Sequence, residues 1–97
     1  GKENVNEEDY RYSYEKPSTK NEAILMICDS VEAACRSLKT ITEKTLTDLI
    51  SSVVARQMAD GQFDNAEISY KEINRLKTIL IEKMKEVYHS RIEYQKD

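Results

Sequence analysis

The chain has no tryptophan and only one phenylalanine, one histidine, one proline and two glycines among its 97 residues. Scarce glycine and proline remove the usual punctuation of hairpin-rich folds and leave long stretches free to form helix. A lone histidine, His89, and no Cys-x-x-Cys pair exclude a self-contained metal centre, which needs several His, Cys, Asp or Glu side chains converging on one point. Nothing in the sequence orients that histidine beside a serine, so a hydrolytic triad finds no support. Positive charge is not in excess. The formal net charge of −3 argues against a surface for polymeric nucleic acid. The longest apolar run, Ala23–Cys28, falls far short of the roughly 20 residues a membrane-spanning helix needs. The polar, acidic first residues show no signal peptide.

Cysteine is scarce too. Cys28 and Cys35 lie on one helical face, seven residues apart. At about 1.5 Å rise per residue their Cα atoms stand roughly 10 Å from each other, too far for a disulfide within one helix. They read as small core residues of a protein in a reducing compartment, which points to the cytosol.

What is present is charge arranged around apolar stripes, the pattern of an all-α domain with a thin core. Residues 1–17 are expected to form an extended or partly ordered arm, closed by Pro17. Residues 18–97 then carry three amphipathic segments, at about 20–38, 43–59 and 70–91. Thr19 with Glu22, and Ser69 with Glu72, have the spacing of capping boxes, and Thr42 is a further cap. Asp60-Gly61 stops the second segment, with Gly61 taking the left-handed conformation. The expected stripes are Ile24, Ile27, Cys28, Val31, Ala34, Cys35 and Leu38 in the first helix, and Leu46, Leu49, Ile50, Val53 and Met58 in the second, with Val54 beside it. The third carries Ile73, Leu76, Ile79, Leu80, Met84, Val87 and Tyr88. Short loops favour a small antiparallel three-helix bundle. The loop Asp60–Lys71 is not a calcium loop, because Asn65 stands where glycine is needed and Lys71 where glutamate is.

The first helix is apolar on more sides than two small partners would cover, since Leu25 and Met26 lie off its stripe. Asp29 ends that apolar run, on the side of Leu25, Glu32 and Arg36. A carboxylate withdrawn from water must be paired, hydrogen-bonded or bound to a metal. Two readings of Asp29 follow. It is a structural aspartate bonded to a cation of a neighbouring helix, or it is a ligand. Glu32 and Arg36 have the spacing of an i, i+4 pair and satisfy each other in the simplest case.

The run Thr19–Leu38, TKNEAILMICDSVEAACRSL, resembles the "(S/T)KEAAI-x-M-x-ADSVEAA-x-RSL" helix of the membrane-associated HD-superfamily phosphohydrolases. Upstream, Tyr10-Arg11-Tyr12 followed by Lys16-Pro17 is similar to that family's "FRYPGPKP" loop, with Ser13-Tyr14-Glu15 in place of Pro-Gly-Pro. Downstream, Asp60-Gly61-Gln62-Phe63-Asp64 resembles "DGQLDE", and His89-Ser90-Arg91-Ile92-Glu93-Tyr94 resembles "HSRIEYP". The resemblance implies the C-terminal helical part of a cytoplasmic HD domain in a bacterial inner-membrane enzyme that hydrolyses cyclic di-AMP. It implies that Asp29 is the last protein ligand of a pair of divalent metals, manganese or iron. The remaining ligands, the upstream half of the same domain and the membrane segments then lie outside this sequence. By itself the chain is expected to hold no metal and to be inactive. Arg36, Arg11 and Lys16 are candidates to meet the cyclic dinucleotide. His89 matches the family's ending without a mechanism attached, and a packing role is favoured. The competing reading is a non-catalytic helical protein–protein interaction module. Self-association through the surplus apolar surface is a third.

Overall fold

The computed structural model describes residues 16–93. They form three helices, α1 (Lys20–Arg36), α2 (Glu43–Ala59) and α3 (Tyr70–Val87), followed by a single 3-10 turn, His89–Arg91. Among the described residues there is no strand, and no helix is long and apolar enough to cross a membrane.

Each helix starts at a hydroxyl that meets an otherwise orphaned backbone donor. Thr19 Oγ1 accepts from the Glu22 N–H at 3.1 Å. The capping box expected there does not close. The Glu22 carboxylate instead accepts from the N–H and the hydroxyl of Ser18, at 2.9 and 3.1 Å, because Ser18 offers two donors together. Ser69 and Glu72 do close theirs, at 3.1 and 2.9 Å. Thr42 closes one with Thr45, whose hydroxyl stands in for the usual carboxylate.

The helix ends depart further from the sequence pattern. α1 stops at Arg36, short of Leu38, where the Ser37 hydroxyl donates to the Ala34 carbonyl at 2.6 Å and competes with the next helical bond. α2 ends through Gly61, at φ +71°. The Gln62 N–H reaches the Gln57 carbonyl and the Gly61 N–H reaches that of Met58, the pairing of a Schellman cap. α3 gives way after Val87 rather than at Arg91. The chain then turns back, and the Glu93 N–H donates to the Ile41 carbonyl at 2.8 Å, burying Ile92 and Ile41 together.

α2 is the middle of the bundle. It packs on α1 along one side and on α3 along the other, and α1 and α3 touch each other little. The core joins Ile27, Val31 and Cys35 of α1 to Leu46, Ile50 and Val54 of α2, with Ile73, Leu80 and Met84 of α3 closing it. Three stripe positions fall elsewhere than expected. Val54, not Val53, is the deeper valine, because the core arc of α2 runs through positions 46, 50, 54 and 57. Ile79 and Val87 are 56% and 57% exposed. At about 100° per residue, Ile79 points well away from its buried neighbour Leu80.

Candidate functional site

Leu25, Asp29, Glu32 and Arg36 recur at helical spacing and form one outer flank of α1. The side opposite Asp29 is the one that meets the core, through Ala23, Ile27 and Val31. The flank lies open: Leu25 is 61% exposed and Asp29 is exposed beside it. Among the described residues no hydrogen bond or ion pair holds the Asp29 carboxylate. Arg36 Nη1 stands 3.8 Å from Glu32 Oε1, with both side chains about two-thirds exposed, 65% and 63%. A pair that long and that wet holds the guanidinium weakly and leaves it able to swing to another anion.

The other side chains singled out from sequence lie apart from this flank or outside the described residues. Lys16 stands at the turn after α2, 3.9 Å from Asp64 Oδ2. Arg11 lies outside the described residues. His89 is exposed and is not a core side chain, so the packing role favoured for it is not found. It lines an open groove of about 530 Å³ with Glu43, Glu82, Lys85, Glu86 and Ile92, where the start of α2 meets the end of α3.

Both cysteines are free. Burial, and after it the negative charge of Asp29 and Glu32, pushes the Cys28 thiol up. Burial does the same to Cys35. Both therefore stay protonated at neutral pH, as packing residues do, and neither is an activated nucleophile.

One polar contact in the core had no expectation attached. Gln57, 3% exposed on α2, donates Nε2 to the Ser30 hydroxyl of α1 at 2.9 Å. Its Oε1 is buried and, among the described residues, accepts no hydrogen bond. Leaving such an acceptor unmade costs on the order of 1–3 kcal/mol. The signal available in the sequence was its place three residues after Val54 on the inward arc.

Among the described residues no group of three or more His, Cys, Asp or Glu side chains is placed to hold a metal ion. An exposed aspartate with no competing cation fits one ligand of a centre shared with other segments. It does not fit a complete one. A carboxylate is a suitable donor for manganese or for iron, and its charge offsets part of theirs.

The fold with its open flank is that of an HD domain, of which this chain is a segment. Over 95% of the chain it superposes on the HD domain of the Listeria monocytogenes phosphodiesterase PgpH crystallised in complex with cyclic-di-AMP, with a TM-score of 0.79 and 42% identity, covering 43% of that chain. A second structure of the same domain gives 0.78 over 89% of this chain and 41% of that one, at 42% identity. No family model matches the chain. Homologues at 36–43% identity are PgpH cyclic-di-AMP phosphodiesterases: the Listeria monocytogenes protein is 43% identical over 93 residues and the Bacillus subtilis protein 36% identical over 90. These alignments take in 96% and 93% of this chain but only 13% of either relative, so the chain spans a small part of the proteins it matches.

Proposed function

We propose that this chain is the C-terminal helical part of a metal-dependent phosphohydrolase acting on a cyclic dinucleotide, cyclic di-AMP first among them, and that Asp29 is its contribution to the metal centre. The observation that carries the reading is the Asp29 carboxylate: exposed, free of hydrogen bonds and ion pairs among the described residues, and set on a flank that the core leaves uncovered. Homology to enzymes named for cyclic-di-AMP hydrolysis supplies the substrate class. A cytoplasmic position for the domain, in a bacterial inner-membrane parent, belongs to the same proposal.

When bound, a pair of divalent metals such as manganese or iron supplies an activated water and draws negative charge from the attacked phosphate. The chain's own residues do three things. Asp29 Oδ1 and Oδ2 offer anionic oxygen donors from a rigid helix, held in place by the packing of Ile27 and Val31 on α2. Arg36, two turns on along the same flank, turns its guanidinium from Glu32 toward a substrate phosphate, for which its planar fork is suited. Lys16 and Arg11, which precede α1 in the sequence, are the remaining candidates to bring positive charge to the dinucleotide, Lys16 from its place beside Asp64 at the turn after α2.

The test sets the chain alone and the intact protein side by side with cyclic di-AMP and Mn2+. Hydrolysis by the intact protein only, abolished by Asp29→Ala together with loss of Mn2+ binding, is the expected outcome. An Asp29→Ala enzyme at full rate overturns the assignment. It would favour the competing reading, a helical interaction module, which draws on the exposed Leu25, Ile79 and Val87.

A further inference from the structure

We infer that the Gln57–Ser30 hydrogen bond is a register lock between α2 and α1, with Gln57 a positioning residue for the Asp29 carboxylate; the part concerning Asp29 rests on the function proposed above. Gln57 is almost fully buried, donates to Ser30 Oγ at 2.9 Å, and leaves Oε1 buried without a partner among the described residues. Turning the amide over exchanges which end is unpaired and satisfies neither arrangement fully, because among the described residues Ser30 is its single side-chain partner. Methionine has nearly the same shape and strands no polar atom. Stability alone therefore gives no reason for an amide at this position.

What methionine does not supply is direction. α1 faces the core with Ala23, Ile27, Val31 and Cys35, each four residues after the last. Apolar contact is non-directional. A stripe repeating every four residues still offers an apolar surface, though of altered shape, after sliding one turn, about 6 Å along the axis. The bond from a fixed amide to one hydroxyl is made in a single register. A polar side chain in an otherwise apolar helix seam selects register in this way, at some cost in stability. Ser30 directly follows Asp29, so the selection acts one residue from the carboxylate. A metal ligand tolerates only about 0.5 Å of misplacement, far less than one such slip.

The test uses the intact protein with Gln57→Met, Ser30→Ala and the two combined. One readout is Mn2+ affinity by calorimetry. The other is the α1–α2 distance by pulsed electron paramagnetic resonance between labels at Asn21→Cys and Ser52→Cys, both exposed positions and well separated along the helix axes, after Cys28→Ala and Cys35→Ala. Gln57→Met is expected to melt no lower than the parent. Its distance distribution should broaden or gain a population shifted by up to about 6 Å, and its Mn2+ affinity should fall about 10–100-fold, as for other groups that orient a ligand. The double variant should be no weaker than the worse single one, since both remove the same bond. A folded Gln57→Met protein with a sharp, unshifted distance overturns the lock. So does a broadened distance with unchanged Mn2+ affinity, provided Asp29→Ala lowers that affinity. If Asp29→Ala leaves Mn2+ binding intact, the proposed function fails and the distances alone decide the lock. Failure of both Gln57→Met and Ser30→Ala to fold would assign the pair a purely structural role and overturn it as well.

Discussion

Gly61 is the described residue with positive φ, and it is where α2 is made to stop. An added Cβ would stand 2.7 Å from Asp64 Oδ2, but that carboxylate is 71% exposed and can rotate away. The backbone cost of a left-handed L-residue, about 1–2 kcal/mol, then dominates. Gly61→Ala should lower the stability of the chain by about that much, with Gly61→Asn losing less, read as a shift in urea midpoint at unchanged slope. The glycine was legible in the sequence because Asp-Gly follows directly on an apolar stripe. Asp29 was legible as a lone acid at the end of an apolar run, on a helix with more apolar surface than two small partners would cover, and the flank does lie open. Gln57 was not legible. Whether a glutamine at the border of a stripe turns inward depends on the rotation of α2 between its two neighbours, and the sequence of α2 alone does not contain that angle.

Among the helices, the starts were easier to read than the ends, because a cap is built from a hydroxyl and a backbone donor three residues apart, whereas an end is decided by distant partners. α3 illustrates both. Its cap at Ser69 closes as the spacing demands, while its end is set by the return of residues 92–93 to Ile41. The same cap also ties α3 to α1. Lys20 Nζ lies 2.6 Å from Glu72 Oε2, joining the first turns of two helices that otherwise touch little. The bond from Lys20, followed by the Ser69 backbone N–H, holds the Glu72 carboxyl down at about 2 from an ordinary 4.5. A carboxyl depressed in the folded state contributes stability above its unfolded value and loses it as pH falls through the folded one. The contribution of Glu72 is therefore complete above about pH 4.5 and disappears on the way down to about pH 2. Glu22, lowered chiefly by the Ser18 backbone N–H, acts in the same direction. Denaturant midpoints followed into acid should fall across that window, and Glu72→Gln should flatten part of the fall while lowering the neutral-pH plateau. An equally steep acid limb in Glu72→Gln would show that the pair is too well solvated to matter.

At the scale of the whole molecule, the bundle is thin, 18 Å in its shortest dimension, because α1 and α3 flank α2 instead of closing on each other. All-α class and helix number were readable from periodicity. This flatness was not, since an amphipathic stripe does not say which of two neighbours it will meet. A thin bundle leaves apolar side chains on its outer faces, and Leu25 at 61% exposed is the one beside Asp29. The chain covers 43% of the solved HD-domain chain it superposes on, so more than half of such a domain is still to be accounted for. If that remainder packs on the Asp29 flank, as the proposed metal centre requires, the exposed part of Leu25 becomes buried there, at a gain of about 1–2 kcal/mol. Leu25→Glu then has opposite consequences in two settings. In the chain alone it changes an exposed side chain and should move stability by no more than about 0.5 kcal/mol. In the intact protein it places a second unpaired carboxylate in a closing interface, and should lower the melting temperature and weaken Mn2+ binding together. Differential scanning calorimetry on both forms separates the cases. A Leu25→Glu variant that melts like the parent in the intact protein would mean that this flank faces water there too, and that Asp29 has no second wall to meet.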